Sequence, residues 1–227
     1  MRDVALWGEH IDEYQHMFGL DDTDFTLNLL EYGSGATAVN AQLHARHQSM
    51  VSCDPWFSMS LVDLTQQINQ FCNEGIERIK AARSHFDFSA YGSMDGLIEK
   101  RLKGVSQFFA DYSQGLVEKR YLPQVQDALP FEDFTFDMAL SSSYLFSGDE
   151  AQDVDFHLNC IRELARVAKE VRIFPLIDRD GQPSSLLGPV LLGLQQSNYG
   201  VEIRDVDYLL QLGGHAMLRV WARECQV

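Results

Sequence analysis

Long apolar segments and basic residues are what this sequence has least of. No window approaches the roughly 18 apolar residues of a membrane span, and the charged start leaves no apolar core of signal-peptide length. We therefore expect a cytoplasmic protein that does not enter a membrane. Its 18 Lys and Arg residues stand against 33 Asp and Glu residues, a formal net charge of −15. That charge repels phosphates and anionic lipid headgroups, which argues against DNA and membrane surfaces and less strongly against RNA.

Cysteine is also scarce, and its spacing excludes a cysteine-rich metal site. The 4 cysteines form no C-x-x-C pair, and we expect free thiols at Cys53, Cys72, Cys160 and Cys225. His44 and His47 lie three residues apart in a predicted helix, but no third ligand accompanies them. No metal site is therefore expected.

Repeats and low-complexity segments are absent, and the composition is that of a globular protein. Of the 227 residues, 45% are hydrophobic and 11% are aromatic. This amount of apolar side chain predicts one domain over residues 1–227, with 1–26 as a helical N-terminal segment. The oligomeric state is left open.

Short apolar runs alternate with amphipathic stretches at both ends of the chain, which is typical of a mostly parallel α/β sheet. The predicted strands are residues 27–32, 50–53, 121–123, 136–140, 171–174, 201–206 and 217–222. Helices are predicted over 38–47 and 154–168 and from about Pro189 onwards. No helix separates the last two strands, so they are expected to pair antiparallel. The fold class is thus α/β, a seven-stranded Rossmann-like sheet with helices on both faces and an antiparallel last strand.

The alternation stops over residues 58–120, which we predict to be a helical insertion between the second and third strands. A loop of that length without structure is improbable in a compact domain. Apolar residues recur at helical spacing in two segments, Leu61, Leu64, Ile68, Phe71, Ile76 and Ile79, then Ile98, Leu102, Val105, Phe109, Tyr112 and Leu116. The aromatic residues of this insertion suggest one of two roles. They form either a lid over a small bound molecule or the surface by which the insertion packs onto the sheet.

Acidic residues end the first two predicted strands, at the sheet edge where open α/β folds bind ligands. Glu31 precedes the glycine turn of Gly33 and Gly35, and Asp54 follows the next strand about 20 residues later. Glycine permits close approach of a ligand and a positive φ angle. Asp54 is placed to accept hydrogen bonds from a ribose diol. An adenosine-type ligand is therefore predicted.

Four segments in this order resemble the class I S-adenosylmethionine-dependent methyltransferases. They are LEYGSG at 30–35, VSCDP at 51–55, DALPFEDFTFDMALSS at 127–142 and RELARVAKEVRIFPL at 162–176. The resemblance covers 27–57 and 121–224. It departs from the family pattern at Thr37, where many members have a third glycine, and in the short gap between Asp127 and Leu129.

The resemblance implies S-adenosylmethionine as cofactor and a set of residues around it. Glu31 would lie near the methionine end and favour its ammonium group, and Asp54 would hold the ribose diol. The backbone at Ser141 would also lie near the ammonium group. The full set of implied cofactor-binding residues is Glu31, Gly33, Ser34, Gly35, Asp54, Pro55, Trp56, Asp127, Ala128 and Ser141.

Within that set, the resemblance implies that different residues contact different parts of the cofactor. Gly33 to Gly35 would leave room for the amino acid and the ribose. Pro55 and Trp56 would lie against the adenine face, and Asp127 and Ala128 against its amino edge.

Methyl transfer from a sulfonium is an in-line displacement that depends mainly on orientation and exclusion of water. A base is needed only for a protonated acceptor, and the candidates near the site are Tyr14, Tyr144 and His157, with Tyr112 as a further pocket candidate. Packing or capping is the alternative role for these side chains. Residues 141–144 (SSSY) lack the Asn/Asp-Pro-Pro-aromatic motif of amino-methylating nucleic-acid enzymes, which favours a small-molecule acceptor.

Two other functions share parts of this pattern. One is a regulatory protein that binds S-adenosylmethionine or S-adenosylhomocysteine without transfer, since no acceptor-activating residue is evident. The other is a nicotinamide-dependent oxidoreductase, which shares the Gly33-x-Gly35 turn but needs a third glycine that is missing here.

Overall fold

Seven strands form one sheet in the computed structural model, which describes residues 8–33, 35–123, 128–146, 152–178 and 180–222. In chain order they are β1 (Leu29–Tyr32), β2 (Met50–Asp54), β3 (Tyr121–Pro123), β4 (Phe136–Ser142), β5 (Ala168–Phe174), β6 (Tyr199–Asp205) and β7 (Ala216–Ala222). Their order across the sheet is β3-β2-β1-β4-β5-β7-β6. Strand β7 runs opposite to the other six strands, so its pairings with β5 and β6 are antiparallel and the other four pairings are parallel. The predicted seven-stranded, mostly parallel sheet is confirmed.

Helices cover both faces of this sheet, as predicted. They are α1 (Ile11–Phe18), α2 (Val39–Ala45), α3 (Leu61–Ala81), α4 (Met94–Val117), α5 (Val154–Val167) and α6 (Leu187–Gln196). Helices α1 to α4 share one apolar core with alternate strand residues such as Leu29 and Met50. Helices α5 and α6 pack on the other face, against residues such as Leu30 and Val171. Both faces are therefore buried, as a parallel sheet requires.

Most element boundaries shift by one to three residues from the sequence prediction, and the shifts at β1 and α5 are two examples. Strand β1 begins at Leu29 rather than at residue 27, and the helix predicted to reach Ala168 ends at Val167. Ala168 already pairs with Phe136 of β4, so residues 168–170 extend β5. Pairing with a neighbouring strand here overrides the helical pattern of the sequence.

The insertion between β2 and β3 consists of α3 and α4, as predicted, but the buried stripe of α4 is partly wrong. Leu102 and Leu116 are 45% and 40% exposed. The buried residues of α4 are Leu97, Arg101, Gly104, Val105, Phe108, Tyr112 and Gly115. The apolar spacing of the sequence did not predict this buried face of α4, because an arginine, Arg101, lies in the middle of it.

Several further features of the described residues bear on function. No helix among them is both long and apolar enough to cross a membrane. Nor do they bring three or more His, Cys, Asp or Glu side chains together as metal ligands. His44 lies 3.7 Å from a Glu118 oxygen, and Cys53, Cys72 and Cys160 are free thiols. Cys225 lies outside the described residues.

Candidate functional site at the carboxyl edge of the sheet

The glycine turn after β1 has the backbone geometry that only glycine adopts readily. Gly33 and Gly35 have φ angles of 72° and 68°, in the left-handed region. A Cβ atom on Gly33 would lie 2.6 Å from Cδ1 of Tyr144, so the tyrosine ring occupies the space of a side chain. The first glycine is therefore required by packing within the protein. Ser34, between the two glycines, lies outside the described residues.

Glu31 projects from β1 into a set of hydroxyl groups and is 2% exposed. Tyr14 and Thr37 donate hydrogen bonds of 2.6 and 2.8 Å to its Oε1 atom, and Ser52 donates one of 2.6 Å to Oε2. Burial raises the pKa of the Glu31 carboxyl above its usual value, although these hydroxyl groups act in the opposite direction. Thr37, which stands where many members of the family have a third glycine, is thus a hydrogen-bond donor to this carboxylate.

Asp54, at the end of β2, connects the glycine turn to the following single turn of helix. Its Oδ2 atom accepts a 2.8 Å hydrogen bond from the Gly35 N–H, and Oδ1 accepts one of 2.8 Å from the Trp56 N–H. The side chain is 1% exposed. A carboxylate can accept about four hydrogen bonds, so two backbone donors are compatible with a further bond to a ligand hydroxyl.

The two carboxylates lie on the same face of the sheet. Glu31 stands opposite Ser52 in the β1–β2 ladder, and Asp54 is two residues beyond Ser52 on the same side. The charge of Asp54 contributes to raising the pKa of Glu31. The carboxyl edge therefore concentrates negative charge beside the glycine turn.

The remaining predicted cofactor residues surround this edge unevenly. Pro55 and Trp56 are half-buried, and the Trp56 ring meets Phe71 of α3 edge-on at 5.9 Å. Ala128 is exposed, whereas Ser141 is buried in β4 beside Ile173. Asp127 lies outside the described residues.

The four pocket candidates are not brought together. Tyr14 binds Glu31, and Tyr144 lies against Gly33 with its ring edge-on to Tyr32 at 5.5 Å. Tyr112 packs inside the insertion, where its hydroxyl donates to the Phe57 carbonyl at 3.4 Å and burial raises its pKa to about 12.

His157 lies on the opposite face, in α5, and holds a loop. Its Nε2 atom accepts a 3.0 Å hydrogen bond from the Phe146 N–H, so Nδ1 carries the proton and donates to the Asp153 carbonyl at 2.7 Å. Burial lowers the pKa of the imidazole. The Nδ1 bond therefore orients the ring on α5, through the N-cap residue of that helix, and the Nε2 bond fixes the chain after β4 against α5.

A cluster of buried charged side chains lies beside α1, and the sequence pattern did not predict it. Arg101 of α4 is 1% exposed and lies 3.0 Å from Glu13 Oε1 and 3.4 Å from Glu9 Oε1. Tyr208 accepts a 2.9 Å hydrogen bond from Arg101, and Tyr91 donates one of 2.6 Å to Glu13. The one available signal was the helical spacing from Leu97 to Val105, which places an arginine among core residues.

Opposing effects act on the pKa values of this cluster. Burial raises the pKa of Glu9 to about 7 against the attraction of Arg101. Burial by itself lowers the pKa of Arg101, but the charges of Glu13 and other neighbours hold it well above its usual value. The guanidinium therefore stays charged, while Glu9 titrates near neutrality.

The chain is similar over nearly its whole length to an uncharacterized protein of Methanocaldococcus jannaschii, with 24% identity over 223 residues and 96% of each chain covered. Among solved structures, a SAM-dependent methyltransferase from Methanosarcina mazei is 12% identical, with a TM-score of 0.45 and coverage of 95% of this chain and 98% of that one. TrmN from Thermus thermophilus is 13% identical, with a TM-score of 0.44. That match covers 87% of this chain and 44% of TrmN. No protein-family model matches the chain.

The class of fold follows from the sheet itself. The strand order β3-β2-β1-β4-β5-β7-β6, with β7 antiparallel, is that of the class I S-adenosylmethionine-dependent methyltransferase fold. The fold that the sequence resemblance implied is confirmed.

Proposed function

We propose that this protein is an S-adenosylmethionine-dependent methyltransferase that acts on a small-molecule acceptor by in-line displacement. The observation that carries the proposal is the placement of Glu31 and Asp54. They lie on one face of the sheet, at the ends of neighbouring strands, on either side of a glycine turn with positive φ angles. Two buried carboxylates suit a ligand with a ribose diol and two positive charges, the sulfonium and the ammonium group.

The donor and acceptor groups of this edge fit that cofactor. Asp54 would accept the ribose hydroxyls while its backbone bonds hold it in position. Glu31 would act through its charge, because three hydroxyl groups already enclose its carboxylate. Pro55 and Trp56 would face the adenine, and the backbone at Ser141 the ammonium group. When bound, the cofactor supplies an electrophilic methyl group on its sulfonium.

The contribution of the protein is then orientation and exclusion of water. Holding two reactants in an attack geometry supplies on the order of 7–11 kcal/mol of rate enhancement. A net charge of −15 favours a small acceptor over a polyanionic one. No base is needed for an acceptor that binds unprotonated.

The candidate bases are hydrogen-bonded within the protein, which also supports a second function. This function is that of a regulatory protein that binds the cofactor without methyl transfer. Tyr14, Tyr112 and His157 all use their polar atoms within the protein. Incubation with labelled S-adenosylmethionine and a metabolite extract separates the two functions. A labelled product identifies an enzyme, and binding without a product identifies the regulatory protein.

Calorimetry with S-adenosylmethionine and Asp54→Asn tests the cofactor site. We expect the variant to lose about 1.5–3 kcal/mol of binding free energy, the range of hydrogen bonds to a charged group. This loss corresponds to about 10- to 150-fold in Kd. Binding of neither S-adenosylmethionine nor S-adenosylhomocysteine to the wild type at submillimolar concentration would reject the proposed function.

Asp137→Asn is a matched control for this experiment. Asp137 also accepts a hydrogen bond from a backbone N–H, that of Asn28, but it lies at the amino edge of the sheet. Both variants should lower the Tm, because Asp54→Asn loses one of two backbone hydrogen bonds and Asp137→Asn loses the charge that pairs with Lys169. Only Asp54→Asn should weaken binding, and equal weakening in both would show that the effect is one of stability.

A further inference from the structure

The two edges of the sheet differ in how well they are protected. Strand β3, at one edge, has 3 residues and ends in Pro123, whereas β6, at the other edge, spans Tyr199–Asp205 without a proline. Among the described residues, no strand lies beyond β6. A long free edge presents unpaired N–H and C=O groups to another strand. The β6 edge is therefore able to add a strand.

The backbone of β6 presents alternate residues to that edge. Val206, directly after β6, donates a 2.8 Å hydrogen bond to the carbonyl of His215, the residue opposite it in the ladder with β7. Hydrogen-bonded and non-hydrogen-bonded pairs alternate along an antiparallel ladder, so Val201, Ile203 and Asp205 belong to non-hydrogen-bonded pairs. Their N–H and C=O groups therefore point away from β7, toward the free edge.

The surface around this edge is uncharged in a strongly acidic protein. Residues 181–201, which include α6 and the first part of β6, contain no Asp, Glu, Lys, Arg or His, although the net charge of the chain is −15. Leu192 of α6 and Ile203 of β6 are 55% and 47% exposed. Two chains of this charge repel each other over most of their surface. An uncharged apolar face is where they can approach.

Helix α6 turns an apolar side toward the same edge. A Cβ atom on Gly193 would lie 2.8 Å from Leu158, so this side of α6 faces α5, which packs against β4, β5 and β7. Leu191 is two residues from Gly193, about 200° around the helix, and therefore faces away from α5. A Cβ atom on Gly188 would meet no other atom within 4 Å. The side of α6 that carries Leu191 is thus open for contact beyond β6.

The charges on β6 are complementary to those of a second copy. Glu202 and Arg204 share the face of the sheet opposite α6, with 2.9 Å between their charged atoms. A two-fold axis through Ile203, perpendicular to the sheet, opposes Glu202 of each copy to Arg204 of the other. An axis at Glu202 would oppose two glutamates, and one at Val201 would oppose Glu202 to Gly200. Opposite charges across a strand pair stabilise it and like charges destabilise it, so the pattern selects Ile203.

We propose that two copies of this protein associate along β6, as an antiparallel strand pair centred on Ile203, with the two α6 helices in contact on one face. Ile203 exchanges backbone hydrogen bonds with Ile203 of the second copy, and Val201 does so with Asp205. Leu191 and Leu192 of the two helices meet on the same face as the isoleucines. These apolar contacts supply the affinity, and the charges fix the register, because exposed ion pairs contribute little.

This dimer is independent of the proposed function. Neither α6 nor β6 provides a residue of the proposed cofactor site. Since the two sheets run in opposite directions, their carboxyl edges lie on opposite sides of the joined sheet, and both sites stay accessible. Failure of the dimer to form is therefore distinct from failure of the calorimetry with S-adenosylmethionine.

Analytical ultracentrifugation of the full chain over about 1–200 µM tests the association, and for one strand pair and one helix pair we expect a Kd on the order of 10 µM. Ile203→Lys places two like charges at the axis and should raise Kd at least about 30-fold. The Tm at about 1 µM, where the wild type is mostly monomeric, should not change. Leu102→Lys is the matched control, because Leu102 is 45% exposed but lies on α4. It should leave Kd unchanged.

Charge reversal tests the register. Arg204→Glu and Glu202→Arg each oppose like charges across the axis, so at about 50 mM salt each variant alone should associate about tenfold more weakly than the wild type. An equimolar mixture of the two should recover most of the affinity as a heterodimer, since every glutamate then meets an arginine.

A monomer throughout the concentration range, or a dimer that Ile203→Lys leaves intact, would overturn the proposal. A mixture of the reversed variants that associates no more tightly than either alone would overturn the register centred on Ile203. The wild-type concentration series and the mixture keep the test decisive if Ile203→Lys does not fold.

Discussion

Replacing Arg101 with Met should destabilise the protein by about 3–5 kcal/mol at pH 8, the cost of removing one partner from a buried ion pair. Methionine keeps much of the apolar stem but leaves Glu9 and Glu13, 1% and 3% exposed, without the guanidinium between them. An uncompensated carboxylate in a core costs far more than the packing that the substitution retains. Urea unfolding followed by circular dichroism measures the loss.

The loss should be smaller at pH 5, and the sign follows from Glu9. Its pKa rises from 4.5 to about 7 on folding, so within this window the folded chain keeps a proton that the unfolded chain has lost. Stability therefore falls as pH rises through the window. Arg101 opposes the shift, so its removal extends the window upwards and deepens the fall. An equal loss at pH 5 and pH 8 would contradict this account.

Arg204→Met provides the comparison at the surface. Arg204 is paired with Glu202 at 2.9 Å, but the two side chains are 44% and 39% exposed. Exposed pairs contribute about 0–1 kcal/mol, so this variant should be nearly neutral.

Adding Glu9→Gln to Arg101→Met should restore part of the lost stability, because it removes one of the two buried carboxylates that have lost the guanidinium.

Gly33→Ala should also have a large effect, about 2–5 kcal/mol. A positive φ angle costs an alanine about 1–2 kcal/mol, and overpacking against Tyr144 adds about 1–3 kcal/mol. Relief of the overlap requires the tyrosine ring to leave the glycine turn, so cofactor binding should change together with stability. Thermal unfolding and calorimetry with S-adenosylmethionine record the two effects.

Substitution of Gly92 separates the cost of the positive φ angle from the cost of overpacking against Tyr144. It has the same φ angle of 72°, but a Cβ atom there would meet no other atom within 4 Å. Gly92→Ala should therefore show the backbone cost alone. In a Tyr144→Ala background, Gly33→Ala should cost less than in the wild type but more than Gly92→Ala, because the Cβ atom of residue 144 would still lie 2.8 Å from the new methyl group. Equal losses for Gly33→Ala and Gly92→Ala in the wild-type background would show that Tyr144 yields without cost.

The strands and the carboxyl edge were predictable because they depend on local patterns. Alternation of apolar runs with amphipathic segments located all seven strands, and an acidic residue at two strand ends located Glu31 and Asp54. The partners of these acids were not predictable. Thr37 and Ser52 reach Glu31 only because the turn and β2 fold beside it, and residues 168–170 became strand only through pairing with β4.

By itself, then, the sequence determined the class of fold, the glycine turn and the acidic ends of its first two strands, because periodicity and turn chemistry act over a few neighbouring residues. Only the tertiary structure decided that Arg101 is buried between Glu9 and Glu13, and that Tyr208, from the far end of the chain, joins the same cluster. These features join residues far apart in the chain. Their energies come from burial and from distances between charges, which no local pattern encodes.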